Sequence, residues 1–119
     1  MAATTGPRFG IQYGWSVSEN FKTGMDANLL KLDHAGVHLS VKDRDLTAPP
    51  GGPADGDTYI VGAGATGAWA THDGKIAVYN GPTAAWVFYT PRTGWVAFIE
   101  DETKLSAYYS SAWSAGIAI

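Results

Sequence analysis

The chain has 119 residues, of which 45% are hydrophobic and 16% charged, with a net charge of −3, five tryptophans and no cysteine. One core fits this length, and the missing thiols exclude a disulfide framework, a cysteine–zinc site and a cysteine nucleophile. No apolar run approaches the roughly 18 residues of a membrane span, and the first ten residues lack the apolar stretch of a secretion signal.

The first 20 residues are broken by Gly6-Pro7, Gly10 and Gly14, while Ile11, Tyr13 and Trp15 alternate. That reads as an extended arm, which either packs on its own domain or adds to a neighbouring subunit. Residues 24–36 predict the one helix. Asp26 suits its first turn, and Met25, Leu29 and Leu32 fall on one apolar face that Leu30 widens. His34 lies near its end and Gly36 fits the left-handed position that closes it. Three turns are marginal alone, so this face is expected to dock. Val37, Leu39 and Val41 then alternate with polar neighbours, as in a half-buried strand.

Residues 47–57 hold three prolines and three glycines and mark the clearest break. They divide the chain into an N-terminal anchoring segment, 1–46, and an aromatic-rich β domain, 47–119. In the second part short strands are expected at 58–61, 75–79, 85–89, 95–100, 105–109 and within 113–119. Asp73-Gly74, Asn80-Gly81-Pro82, 91–94 and 100–103 supply the turns. The fold class is therefore mainly β. It is a small antiparallel barrel or sandwich of short hairpins, preceded by an extended arm and one short helix.

Charge narrows the partners. The first 46 residues balance Arg8, Lys22, Lys31, Lys42 and Arg44 against Glu19, Asp26, Asp33, Asp43 and Asp45. The rest is acidic, and no stretch concentrates Lys and Arg. Neither nucleic acid nor an anionic membrane is an expected partner.

Three motifs invite chemistry, and each falls short. Gly62 to Gly67 spells GxGxxG after an apolar strand, but Asp73-Gly74 places a turn where the nucleotide-binding helix should run. Of the histidines 34, 38 and 72, His34 and His38 stand four apart with Gly36 between them, and no third ligand falls at a sensible spacing, so no metal is expected from them or His72. Glu100-Asp101-Glu102 are adjacent, whereas a hydrolytic pair faces across a cleft. A small hydrolase using Asp55, Asp57 or the acidic turn is a third-ranked reading. No catalytic residue and no cofactor are assigned.

The aromatics remain. Trp86 and Phe88 oppose Val87 and Tyr89, and Trp95 and Ala97 oppose Val96 and Phe98, so both faces of these strands carry bulk. Such strands are covered on both sides, or they present an interface or a ligand platform. Trp69, Trp86, Trp95, Trp113, Tyr79 and Tyr89 are the carbohydrate or interface candidates. Tyr13, Trp15, Met25, Leu29 and Leu32 are the interface candidates of the arm and helix.

Several strings resemble an uncharacterised domain family of phage and prophage structural genes, also found in the head-spike genes of gene transfer agents of alphaproteobacteria. They are Ala48-Pro49-Pro50, Asp55-Gly56-Asp57, Tyr59-Ile60-Val61, Thr66-Gly67-Ala68-Trp69-Ala70, Gly94-Trp95 and the acidic turn ending at Glu102. The resemblance spans roughly residues 24–113. It departs at Tyr109-Ser110-Ser111-Ala112-Trp113, where the family's turn glycine is missing.

This resemblance implies a non-enzymatic virion component, assembled in the cytoplasm of a host bacterium. Six residues follow Trp113, which suits a head decoration, spike-base or fibre-base adapter subunit better than a complete fibre. The expected partners are copies of itself, as a symmetric trimer or pentamer, and a major capsid or fibre protein. The alternative is a carbohydrate-binding module for host surface polysaccharide, its tryptophans stacking on sugar rings.

Overall fold

The computed structural model describes residues 3–15, 21–36 and 38–119. They form two compact units, 1–38 and 39–119.

In the first unit, β1 (Thr4–Thr5) and β2 (Gln12–Tyr13) pair antiparallel. Helix α1 (Phe21–Lys31) continues as a π-helical turn, Leu32–Gly36. The arm packs on its own unit, but not on the expected helical face. Leu29 and Leu32 are 56% and 43% exposed, while Gly24, Asn28 and Ala35 are buried. The reason is local. The Asn28 amide grips the Gln12 backbone from both sides, accepting from its N–H and donating to its C=O, each at 3.0 Å. That side chain thus replaces a neighbouring strand for β2. Gly24 leaves room for the Trp15 indole, and Lys31 donates to the carbonyls of Phe9 and Gly10. A face of small and polar residues suits a backbone better than a leucine stripe does.

The second unit is mainly β. Its strands are β3 (Ser40–Val41), β4 (Thr58–Ile60), β5 (Ile76–Asn80), β6 (Ala85–Tyr89), β7 (Val96–Ile99), β8 (Lys104–Tyr109), β9 (Ala112–Trp113) and β10 (Ile117–Ala118). β4-β5-β6 form one antiparallel sheet. β10-β8-β7-β3 form another, with β9 also on β8. Successive strands pair antiparallel in β4–β5, β5–β6, β7–β8 and β8–β9, whereas β6 and β7, on either side of the expected turn at 91–94, lie in different sheets, and no closed barrel forms among the described residues. One pairing has no hairpin signal, because β3 runs parallel to β7, with Ser40 opposite Phe98 and Val41 opposite Ile99.

That pairing draws residues 39–46 into the second compact unit, which begins at residue 39. The segment is a seam. On one side Phe98 and Glu100 donate to the carbonyls of Leu39 and Val41. On the other, Lys42 donates to Thr58 O, Ile60 to Asp43 O and Gly62 to Leu46 O.

The two sheets differ in how their faces are covered. In the three-stranded sheet Tyr59 and Ala77 pack with Val61 and Trp69 from the following loop, joined by Leu46, Ala65, Trp86 and Phe88. On its opposite face Ile60, Ile76, Val78 and Tyr89 are buried too. In the five-stranded sheet Val41, Ala97, Ile99 and Ser106 are buried on one face. The other face is apolar and partly exposed across β7, β8 and β10, with Ser40 and the Glu100 it binds at the β3 edge. Val96 pairs with Ala107, Phe98 with Leu105, and Leu105 with Ile117, and cross-strand partners share a face.

Candidate functional site

A cleft of about 450 Å³ opens in the second unit. Ile60, Val61, Gly62, Ala63, Asp73 and Gly74 line it from β4 and the loop between β4 and β5. Tyr108, Ser111, Ala112 and Trp113 line it from the β8–β9 hairpin, and Arg44 lines it from the seam. The volume lies within the usual range of small-molecule sites, on the order of 300–1,000 Å³.

Each wall has a local cause. The loop starts with Gly62, whose N–H binds Leu46 O at 2.8 Å, and a Cβ there would sit 2.8 Å from that oxygen. Asp73 braces the loop from the other end, its carboxylate accepting N–H bonds from Gly64 at 2.9 Å and Ala65 at 3.1 Å. Those bonds hold its carboxyl below the usual carboxylate range. The glycine run is thus a carboxylate-clamped β-loop, and it leads into a single 3-10 turn, Gly67–Trp69. Opposite it, the Trp113 indole N–H donates to Gly74 O at 3.0 Å, and its ring meets Tyr108 edge-on.

Arg44 is fully engaged. Nε and Nη2 make a two-pronged pair with Glu102, both at 2.8 Å. Nη1 donates to Ser114 O at 2.8 Å and lies 3.5 Å from Ser106 Oγ, and Nη2 also donates to Ala115 O at 2.7 Å. The guanidinium therefore neutralises Glu102 and leaves the cleft no uncommitted positive group from this side chain.

The aromatic candidates do not form one platform. Trp69 is completely buried and Tyr89 nearly so, which removes both from any surface. Trp86 is half-buried, edge-on to Trp69 and Tyr79. Trp95 is half-buried just before β7. Only Trp113 lines the cleft. In the first unit Tyr13, Leu29 and Leu32 are exposed, and Trp15 and Met25 are half-buried. Arg44, Asp73, Tyr108 and Ser111 escaped the sequence reading. Their one signal was indirect, since Arg44 stands in an Asp-Arg-Asp run and Asp73 in an Asp-Gly turn.

The acidic residues disperse. Glu100 accepts from Ser40 Oγ at 2.7 Å, and Glu102 holds Arg44. Asp101 joins Asp43 and Asp45, with carboxylate oxygens within 4.8 Å of one another. Three such oxygens are a donor set for a hard cation, though exposed acidic corners commonly form without one. Burial and then the Asp43 charge push the Asp101 carboxyl up. Asp55 and Asp57 brace turns, accepting from the N–H groups of Gly81 and Ala54, and Asp57 also pairs with Lys42 at 2.9 Å. The His72 ring stacks on Phe88, with Lys75 Nζ 3.3 Å from its Nδ1.

Fold and cleft together define a small, mainly β module with open sheets and a ligand-sized recess. The chain belongs to the family described as "Protein of unknown function (DUF2793)", whose model matches residues 25–114. No curated protein and no solved structure matches the chain.

Proposed function

We propose that the chain is a non-enzymatic structural subunit of a bacteriophage or phage-like particle. Its role is that of a head decoration, spike-base or fibre-base adapter protein that assembles with copies of itself in the virion. The family resemblance of its sequence supports the particle. The outer face of the five-stranded sheet supports the self-assembly and is the observation that carries the reading. Val96, Leu105, Tyr109 and Ile117 are 46%, 42%, 56% and 75% exposed there. Their partners Phe98, Ala107 and Ala112 are apolar, and Ser40 with Glu100 forms a polar margin at the β3 edge. A sheet face meant for water alternates to polar side chains, whereas a continuous apolar one marks an interface.

Light scattering coupled to gel filtration tests this at micromolar concentration. A trimer or pentamer is expected, dissociating when Leu105 and Ile117 are both changed to Lys. A clean monomer overturns the self-assembly. Absence of the chain from purified particles overturns the virion reading.

A second reading is a module that binds host surface polysaccharide. The cleft favours it, because Trp113, Tyr108, Ser111 and Asp73 all line it. Binding to a bacterial polysaccharide array tests it, and a silent array ends it.

A further inference from the structure

We propose that the cleft holds a single neutral hexose residue, gripped by Asp73 and by the hydroxyls of Tyr108 and Ser111 against the Trp113 ring. The proposal rests on the polysaccharide-binding reading and narrows it to one site and one class of sugar. Charge decides the class. Every nitrogen of the Arg44 guanidinium is occupied by Glu102, Ser114, Ala115 or Ser106. No free cationic donor from Arg44 faces a ligand carboxylate, sulfate or phosphate, and the Asp73 charge repels one. An anionic sugar is therefore disfavoured, and a polyol is not.

Geometry decides the rest. Each Asp73 oxygen already takes one backbone N–H, from Ala65 and from Gly64. The N–H of Asp73 itself also bonds this carboxylate, and of about four lone-pair sites that leaves about one for a sugar hydroxyl. Its position is fixed by the loop it clamps. The Trp113 ring is fixed as well, by the bond to Gly74 O and the edge of Tyr108. A rigid ring beside a rigid acceptor lowers the ordering cost of binding. The volume of about 450 Å³ lies near the lower end of ligand sites, which suits one ring better than an extended oligosaccharide.

The test is an NMR titration of the full chain, following the Trp113 indole N–H and the amides of Ala63, Gly74 and Ser111. The probes are methyl glycosides of glucose, galactose, mannose and N-acetylglucosamine, with glucuronic acid and N-acetylneuraminic acid as acidic counterparts. At least one neutral glycoside is expected to give saturable shifts at the cleft in the millimolar range, with the acidic sugars at least about five-fold weaker. Tyr108→Phe, which removes only a hydroxyl, is expected to weaken binding. Ala63→Arg, on the exposed lip, is expected to abolish it with an unchanged melting temperature. Acidic sugars binding as well as neutral ones, or shifts gathered around Trp86 or Trp95, overturn the proposal while the polysaccharide reading stands. Silence with every neutral glycoside also overturns it, and a silent polysaccharide array then removes the broader reading too.

Discussion

The Arg44 guanidinium reaches Ser114 O and Ala115 O where the strand partner of β8 breaks between β9 and β10. Ser114 also covers the break, its hydroxyl accepting from Ala107 N–H at 3.0 Å while its own N–H donates to Ala107 O. Ser114 O also accepts from Ser106 Oγ at 2.7 Å, so Arg44 adds a second donor there and a bond to Ala115 O, tying the sheet edge while it pairs Glu102. Arg44→Ala is expected to lower unfolding stability in urea by roughly 2–3 kcal/mol, since hydrogen bonds to charged groups are worth about 1.5–3. Arg44→Lys recovers little, because an ammonium cannot span that fork.

Acid sensitivity follows from the same scale. The Arg44 side chain holds Glu102 below the usual range, the Ala54 N–H and then Lys42 hold Asp57 down, and the Gly64 and Ala65 amides hold Asp73 down. These depressed groups stabilise the fold above their unfolded values, about 4, and that stabilisation is lost as pH falls through the folded ones. Asp101 has the opposite sign. Its folded carboxyl is raised, so ionisation destabilises the fold at neutral pH and protonation relieves it. Asp101→Asn is expected to raise the melting temperature at pH 7, with the gain vanishing below about pH 4. An equal gain at both pH values would remove the electrostatic explanation.

At the scale of elements, the hairpin turns carry more strain than their sequences require. Ser110 and Ser111 join β8 to β9 with φ of 49° and 62°, and Thr103 precedes β8 at 53°. Two left-handed residues in a row suit a type I′ turn, whose preferred sequence is Asn-Gly. The double change Ser110→Asn, Ser111→Gly is expected to add about 1 kcal/mol in urea unfolding, and Thr103→Gly a similar amount. In α1 the usual helix preference reverses. Alanine normally beats glycine by about 1 kcal/mol, but a Cβ at Gly24 would strike the Trp15 indole. Gly24→Ala is expected to loosen the arm, seen as faster exchange of the Gln12 amide that Asn28 holds.

Legibility divides along the same line. The strands expected at 75–79 and 85–89 could be read because their β-branched and aromatic residues follow Asp73-Gly74 and flank Asn80-Gly81. The buried helix face could not, since Gly24 and Asn28 carry no apolar signal and act by fit to one backbone. Nor could the cleft, whose walls come from residues 44, 60–63, 73–74, 108 and 111–113 and meet only once the sheets are paired.

The whole molecule turns on residues 39–46. Composition places the boundary at the proline-glycine run after residue 46, yet the backbone bonds of the seam belong to the β unit on both its edges. A composition break marks where regular structure stops, while a domain boundary lies where few bonds cross. The two criteria make opposite predictions for two fragments. Residues 39–119 retain β3, Val41 in the core and Arg44 at the sheet edge. That fragment is expected to unfold cooperatively with a β-type circular dichroism spectrum. Residues 47–119 lose the parallel partner of β7, the bonds to Thr58 O and from Ile60 and Gly62, and the Arg44–Glu102 pair. This shorter fragment is expected to show no cooperative transition, even though it keeps every hairpin of the β unit and four of the five tryptophans. Cooperative unfolding of both fragments at the same urea midpoint would mean that the seam is dispensable, and that the glycine- and proline-rich run marks the true edge of the folding unit.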